Sequence, residues 1–215
     1  MKKQRKFTWR KFWRLIWPIL LFIAYAFCQV LSLKLPFVAV GISAILGLVL
    51  LKYNFNKTTQ RQLKHPIRSS ILLILGSLVA IFLINICYQA ILQQFGITIP
   101  LGDNQKILNQ LGKKNLMSLA FLTILIGPVF EEGIFRLGFI SFKSKNWTIV
   151  SSCFSTLLFA LAHVSGTWNV WVFGEYLIIS IIFTLLYVYT RDMRYSLALH
   201  ISYNTLVFLA IMPML

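Results

Sequence analysis

The sequence predicts an all-α protein, a multi-pass bundle of about seven transmembrane helices, and three observations carry that expectation. Apolar runs of close to 20 residues recur along the whole chain, charges are scarce, and most basic residues fall in alternate breaks between runs. Charged residues make up 12% of the 215 positions against 58% hydrophobic, about half the charged share of a soluble domain. Lipid is the solvent such a chain is built for. In hydrocarbon each run must be helical, because backbone groups find no water there. The length accommodates about seven crossings of ~20 residues with short loops. A single integral membrane domain over 1–215 is expected, with a motif-bearing core at about 116–214.

In chain order, the runs bounded by charges predict helices at about 15–33, 36–51, 71–95, 116–140, 147–163, 170–190 and 195–214. The first follows a basic arm and passes Ala24-Tyr25-Ala26, the outline of a cleaved signal peptide. It continues through Phe27, Cys28, Val30 and Leu33 without a polar start, which suits a retained signal anchor. The second is short and opens on Pro36, where a helix tolerates proline, or else it forms a tight hairpin with the first. The longest polar breaks lie at about 52–70 and 96–115, the latter with Pro100, Gly102, Asp103 and Asn104.

A net charge of +16 would suggest nucleic acid in a soluble protein, but here the cations sit where topology puts them, and no nucleic-acid-binding pattern is present. Lys2, Lys3, Arg5, Lys6, Arg10, Lys11 and Arg14 precede the first run. Lys52, Lys57, Arg61, Lys64 and Arg68 occupy the loop after the second, and Lys143, Lys145, Arg191 and Arg194 fall on the same side by alternation. Only Lys34, Lys106, Lys113 and Lys114 lie opposite. The split predicts a cytoplasmic N-terminus and an external C-terminus in a cell membrane, a bacterial plasma membrane by its short basic form. Trp9, Trp13, Trp17, Trp147, Trp168 and Trp171 flank the predicted spans as interfacial belts do. Cys28, Cys87 and Cys153 fall inside apolar runs without CxxC spacing and read as small core residues.

The chain has five acids and three histidines, and Glu131, Glu132, Glu175, His163 and His200 lie in apolar spans. A charge near the bilayer centre costs roughly 2.5–3.5 kcal/mol on insertion scales, so such residues persist mainly where they pair or act. Glu132 and Arg136, at i and i+4, share a helix face and can neutralise each other. Glu131 is turned about 100° away, toward proton chemistry. Phe159 with His163, and His200 with Asn204, repeat the same spacing on two later helices. Each pair alone could be a structural ion pair, a hydrogen-bonded packing histidine or interhelical glue. Together they place two of the three histidines and two of the five acids in apolar spans at helix-face spacing. Glu175 joins no cluster and reads as snorkelling or structural; His65, in the basic loop, reads as solvated, and Phe159 as a ring supporting His163.

The ordered set Glu131-Glu132-x-x-x-Arg136, Phe159-x-x-x-His163 and His200-x-x-x-Asn204 resembles the CPBP family, also called the Abi or CAAX-protease family, over about 131–204. The resemblance implies hydrolysis of a peptide bond inside the membrane, in a prenylated CAAX protein or a bacteriocin-type peptide, in service of maturation, signalling or self-immunity. It implies that Glu131 activates a water with help from His163, that His200 and Asn204 stabilise the oxyanion, and that Glu132 and Arg136 orient the constellation. The implied partners are a peptide or protein substrate in the membrane and the bilayer itself. The implied cofactor is either none or a divalent metal, zinc with Glu131, His163 and His200 as candidate ligands, although the spacing is unlike HExxH. The competing classes are a non-catalytic bacteriocin immunity protein and a proton-coupled transporter; inverted repeats or paired broken helices, common in transporters, are absent from the sequence. Straight helices counted from the cytoplasmic ends would set Glu131 ~14 Å, His200 ~8 Å and His163 ~24 Å deep, levels that a shared site would have to reconcile.

Overall fold

The computed structural model describes residues 9–58, 67–100, 106, 109, 110, 112, 113, 115–164, 166 and 168–214. The cations at 2–6, those at 61 and 64, His65, and the residues 102–104 of the longer polar break lie outside the described residues. Seven main helices follow the seven apolar runs: α1 Trp9–Lys34, α2 Pro36–Thr58, α3 Ile67–Gln94, α4 Leu116–Gly138, α5 Lys145–His163, α6 Val170–Thr190 and α7 Met193–Ile211. Among the described residues there is no strand. Three of the seven, α3, α4 and α6, are long and apolar enough by themselves to cross a membrane. The fold is therefore the all-α membrane bundle that the composition predicts, with fewer full-length spans than runs.

Polar side chains start the later helices where the first backbone N–H groups lack partners. The Asn115 side chain accepts from the amide of Ser118 at 2.9 Å, and Asn169 accepts from Trp171 and Val172, both at 3.0 Å. Asp192 caps α7 through the Arg194 amide at 3.0 Å and also holds the Arg194 guanidinium at 2.5–3.0 Å. Arg191, with φ 55°, adopts the left-handed turn that ends α6 and lets α7 begin two residues later. Leu35 is the one non-helical residue between α1 and α2, and Pro36 opens α2 at a position that needs no N–H donor.

The central element is α4. Its apolar window is 67% buried, against 39% in α6 and 11% in α3. Helices α1, α2 and α7 pack along it, α5 packs on its last turns, and α6 is wedged among α3, α5 and α7. The main core joins Ile126, Val129, Phe130, Ile134 and Phe135 of α4 to Ile81 of α3, Phe159 of α5, Phe183 of α6 and Leu199 of α7. By contrast α3 exposes Leu72, Leu75, Val79, Leu83 and Ile86, a stripe at helical spacing that no other described element covers. Such a face fits hydrocarbon and would be unusual in water.

Two π-helical stretches interrupt α4, at Phe121–Ile126 and Glu132–Gly138, with an α-helical turn Gly127–Glu131 between them. Pro128 explains part of this. A proline inside a helix lacks the N–H and crowds the carbonyl four residues back, and here it stands in the first turn of the restarted α segment. The carbonyl of Phe135, inside the second stretch, accepts the Ser155 hydroxyl of α5, so a side chain from the neighbour serves the altered backbone.

Polar contacts pin α3 near both its ends. The hydroxyls of Ser70 and Tyr195 are 2.7 Å apart; at the other end Tyr88 donates to the Trp171 carbonyl at 3.0 Å and Gln89 to the Glu175 carboxylate at 2.7 Å. Glu175 is thus structural, bonded across the α3–α6 seam. The reading of all three cysteines as core residues is corrected: Cys28 is buried, whereas Cys87 and Cys153 are exposed on the outer faces of α3 and α5. A small, weakly polar thiol suits lipid contact as well as a core.

Gly174 makes the α3–α6 seam possible, since a Cβ built there would lie 2.2 Å from the Tyr88 hydroxyl. Gly174→Ala is expected to lower thermal stability in detergent by about 1–3 kcal/mol through overpacking. Gly76→Ala on the open face of α3, where nothing lies within 4 Å, should leave stability unchanged or slightly raised. Matched melting curves of the two variants check this.

Candidate active site

Glu131 and Glu132 stand at the junction of the α-helical turn and the second π stretch of α4. Glu132 Oε2 lies 3.5 Å from Arg136 Nε, and Glu132 Oε1 lies 3.1 Å from His200 Nδ1 on α7. One carboxylate therefore bridges a guanidinium on its own helix and an imidazole on another. Glu132 and Arg136 are both wholly buried. The guanidinium is flanked by aromatic rings, 4.9 Å from the Phe159 centroid and 5.8 Å from that of Phe183, within the range where a ring face attracts a cation.

Glu131 faces the opposite way. Its Oε2 is 3.6 Å from His200 Nε2 and 3.8 Å from His163 Nε2. The outer nitrogens of both rings are tied. His163 Nδ1 is 2.8 Å from the Phe159 carbonyl, which can only accept, so Nδ1 carries the proton. His200 Nδ1 donates in the same way to the Glu132 carboxylate. Both imidazoles consequently turn Nε2 toward Glu131. The Glu131 and His163 side chains are 11% and 12% exposed, His200 5% and Glu132 and Arg136 0%, so the site opens on the Glu131–His163 side.

The sequence-predicted residues Glu131, Glu132, Arg136, His163 and His200 are thus brought together, and the expected depth conflict does not arise. His163 closes α5 at its last residue, and α4 changes winding on both sides of Glu131. Asn204, one turn beyond His200, has its amide nitrogen 2.8 Å from the Thr123 carbonyl in the first π stretch, which ties α7 to α4. The NH2 group keeps a second proton for another acceptor. Sequence reasoning missed Tyr176, stacked on His163 with centroids 4.3 Å apart, and Phe183, 4.5 Å from His200. The only signal for Tyr176 was its place beside the intramembrane Glu175. Phe159 does support His163, at 4.5 Å.

Zinc accepts the donor types of Glu131, His163 and His200, and hydrogen-bonded outer nitrogens are usual for metal-ligating histidines. Among the described residues, however, no group of three or more His, Cys, Asp or Glu side chains is placed to hold a metal ion.

Parts of this chain are similar to known proteins. Residues 113–206 match the family model of type II CAAX prenyl endopeptidase Rce1-like proteins, the CPBP family that the three motifs resemble. Among curated proteins, the chain is similar to UPF0177 protein YbdI of Lactococcus lactis subsp. lactis (strain IL1403), with 36% identity over 40% of this chain and 45% of that protein. It is also similar to UPF0177 protein YaiF of the same strain, with 31% identity over 49% of each. The chain spans about half the length of these relatives in the matched regions. No solved structure matches.

Glu132→Gln would leave Arg136 charged with its buried counter-ion removed, a loss of about 3–5 kcal/mol for a broken buried pair. A sharp fall in folded protein recovered from membranes is expected, with partial recovery in the Glu132→Gln, Arg136→Met double variant. Size-exclusion profiles of the detergent-extracted protein measure both.

Proposed function

We propose that this chain is an intramembrane endopeptidase that hydrolyses a peptide bond in a membrane-associated substrate, of the prenylated CAAX or bacteriocin type. The observation that carries the reading is the convergence of Glu131 Oε2 with the Nε2 atoms of His163 and His200 at 3.8 and 3.6 Å, on the side of the cluster that remains accessible. The match of residues 113–206 to a CAAX prenyl endopeptidase family supports it.

In this mechanism a water bound between Glu131 and His163 gives one proton to Glu131 while its oxygen attacks the scissile carbonyl carbon. Glu131 Oε2 and His163 Nε2, 3.8 Å apart, are both within reach of one water. The electrons of the C=O bond move to oxygen. That oxyanion is met by His200, protonated on both nitrogens with its charge balanced by Glu132, and by the remaining amide proton of Asn204. Collapse of the tetrahedral centre breaks the C–N bond, and the proton held by Glu131 passes to the leaving amine. Arg136 balances Glu132, which holds the His200 ring in orientation. The scheme uses this chain's own groups for every step and takes water activation by Glu131 to be metal-independent.

The same reading places the protein in a cell membrane with the N-terminus cytoplasmic and the C-terminus external, on the distribution of Lys and Arg. Reporter fusions after Leu215 are expected to be active only in external form; activity confined to the cytoplasmic reporter would overturn this orientation.

Glu131→Gln keeps shape but cannot take a proton. It is expected to lower cleavage of a fluorogenic farnesylated CAAX peptide by at least about 10²–10⁴-fold while membrane abundance stays at the wild-type level. Chelator treatment of the wild type should leave the rate unchanged. Full activity in Glu131→Gln would end the general-base assignment, and loss on chelation would replace metal-independent activation with metal chemistry. Bacteriocin immunity that survives Glu131→Gln, with no hydrolysis by the wild type, would favour a binding protein.

A further inference from the structure

His163 is the last residue of α5, and its ring leans back on the preceding turn of its own helix. The bond from Nδ1 to the Phe159 carbonyl is a single tether about which the imidazole can swing, and a swing carries Nε2 away from Glu131. Two aromatic faces close on the ring. Phe159 lies at 4.5 Å with an interplanar angle of 31°, and Tyr176 of α6 lies on it at 4.3 Å and 27°, in a stacked arrangement. Phe159 belongs to the same helix as His163, whereas Tyr176 arrives from a different one.

The position of Tyr176 is itself held. Its sequence neighbours Gly174 and Glu175 form the α3–α6 seam, Gly174 against Tyr88 and Glu175 bonded to Gln89 at 2.7 Å, and the Trp171 carbonyl, one turn earlier, takes the Tyr88 hydroxyl. Three contacts within a stretch of five residues thus fix this part of α6 against α3. An exposed surface tyrosine would have no such anchoring.

Resting on the endopeptidase reading of the site, we propose that Tyr176 is a positioning residue for the reaction: its ring clamps the His163 imidazole against Phe159 so that Nε2 stays aimed at the water between His163 and Glu131. The role belongs to the aromatic face. Phenylalanine at 176 should therefore serve, and an aliphatic side chain of similar size should not.

The chain has only three histidines, so selective labelling gives a readable spectrum. Histidine-labelled full-length protein, in a His65→Gln background and in detergent micelles, is compared as wild type, Tyr176→Phe and Tyr176→Leu. Expected in the first two are ring-to-ring nuclear Overhauser contacts between residue 176 and His163, with the His163 ring protons displaced upfield. In Tyr176→Leu part of that displacement should vanish for His163 while the His200 signals stay in place. Absence of the Tyr176–His163 contact in the wild type overturns the proposal, whatever the variants do and even if Tyr176→Leu fails to fold. Kinetics with the farnesylated CAAX peptide supply the second arm. Misplacing a catalytic group by about 1 Å can cost up to about 10²-fold, so Tyr176→Leu should lower kcat by about 10–100-fold with KM little changed, and Tyr176→Phe should recover most of the rate. A loss confined to KM, or equal rates in all three proteins, overturns it. A wild type that shows the ring contact but cleaves no peptide refutes the endopeptidase reading and leaves the clamp on His163 standing.

Discussion

Glu132 and Arg136 are opposite charges one helical turn apart, both wholly buried in the middle of an apolar bundle, and the surroundings answer to that one pair. Charges withdrawn from solvent need partners on every side, since losing one leaves the other stranded. Three neighbouring helices contribute: α7 brings His200 to the second carboxylate oxygen, α5 lays Phe159 against the guanidinium, and α6 adds Phe183. The same aromatic residues then carry the histidines, because Phe159 also packs on His163 and Phe183 on His200. Shielding the ion pair and aiming the two imidazoles are one packing problem.

The winding of α4 links that packing to the chemistry. A uniform α-helix would keep Glu131, Glu132 and Arg136 in a fixed relation to the rest of the span. Here the glutamates sit at the junction of an α turn and the second π stretch, and the displaced backbone is served by its neighbours, with Ser155 donating to the Phe135 carbonyl and Asn204 to that of Thr123. Insertions of this kind are frequent at functional sites. In this protein they also explain why residues from three helices meet although straight-rod geometry would hold them at different depths.

The sequence disclosed the helices as apolar runs bounded by charges, because lipid forces each such run to be helical, and the i, i+4 pairs followed from helical spacing. Glu131, Glu132, Arg136, His163 and His200 were legible for a second reason: ionisable groups in apolar runs stand out wherever they occur. Tyr176 and Phe183 were hidden, since an aromatic in a hydrophobic span looks like any other until the partner helix is known. The outward placement of Cys87 and Cys153 was hidden too, because lipid-facing and core-facing positions have nearly the same composition in a membrane. The π stretches were foreshadowed only by Pro128. Glu175 was visible as an oddity, and only the arrival of Gln89 from α3 gave it a purpose.

Helix α3 shows what its two pinned ends impose on the membrane around it. Ser70 is bound to Tyr195 at one end, and Tyr88 and Gln89 are bound to α6 at the other, with an apolar stretch about 27 Å long between them. That length is close to the ~30 Å of a typical hydrocarbon core. An isolated helix meets a thinner or thicker bilayer by tilting. A helix fastened to its own bundle at both borders cannot tilt independently, so lipid must adjust to it. α3 acts as a fixed ruler on the outside of the protein, and the local bilayer stretches or thins to its measure.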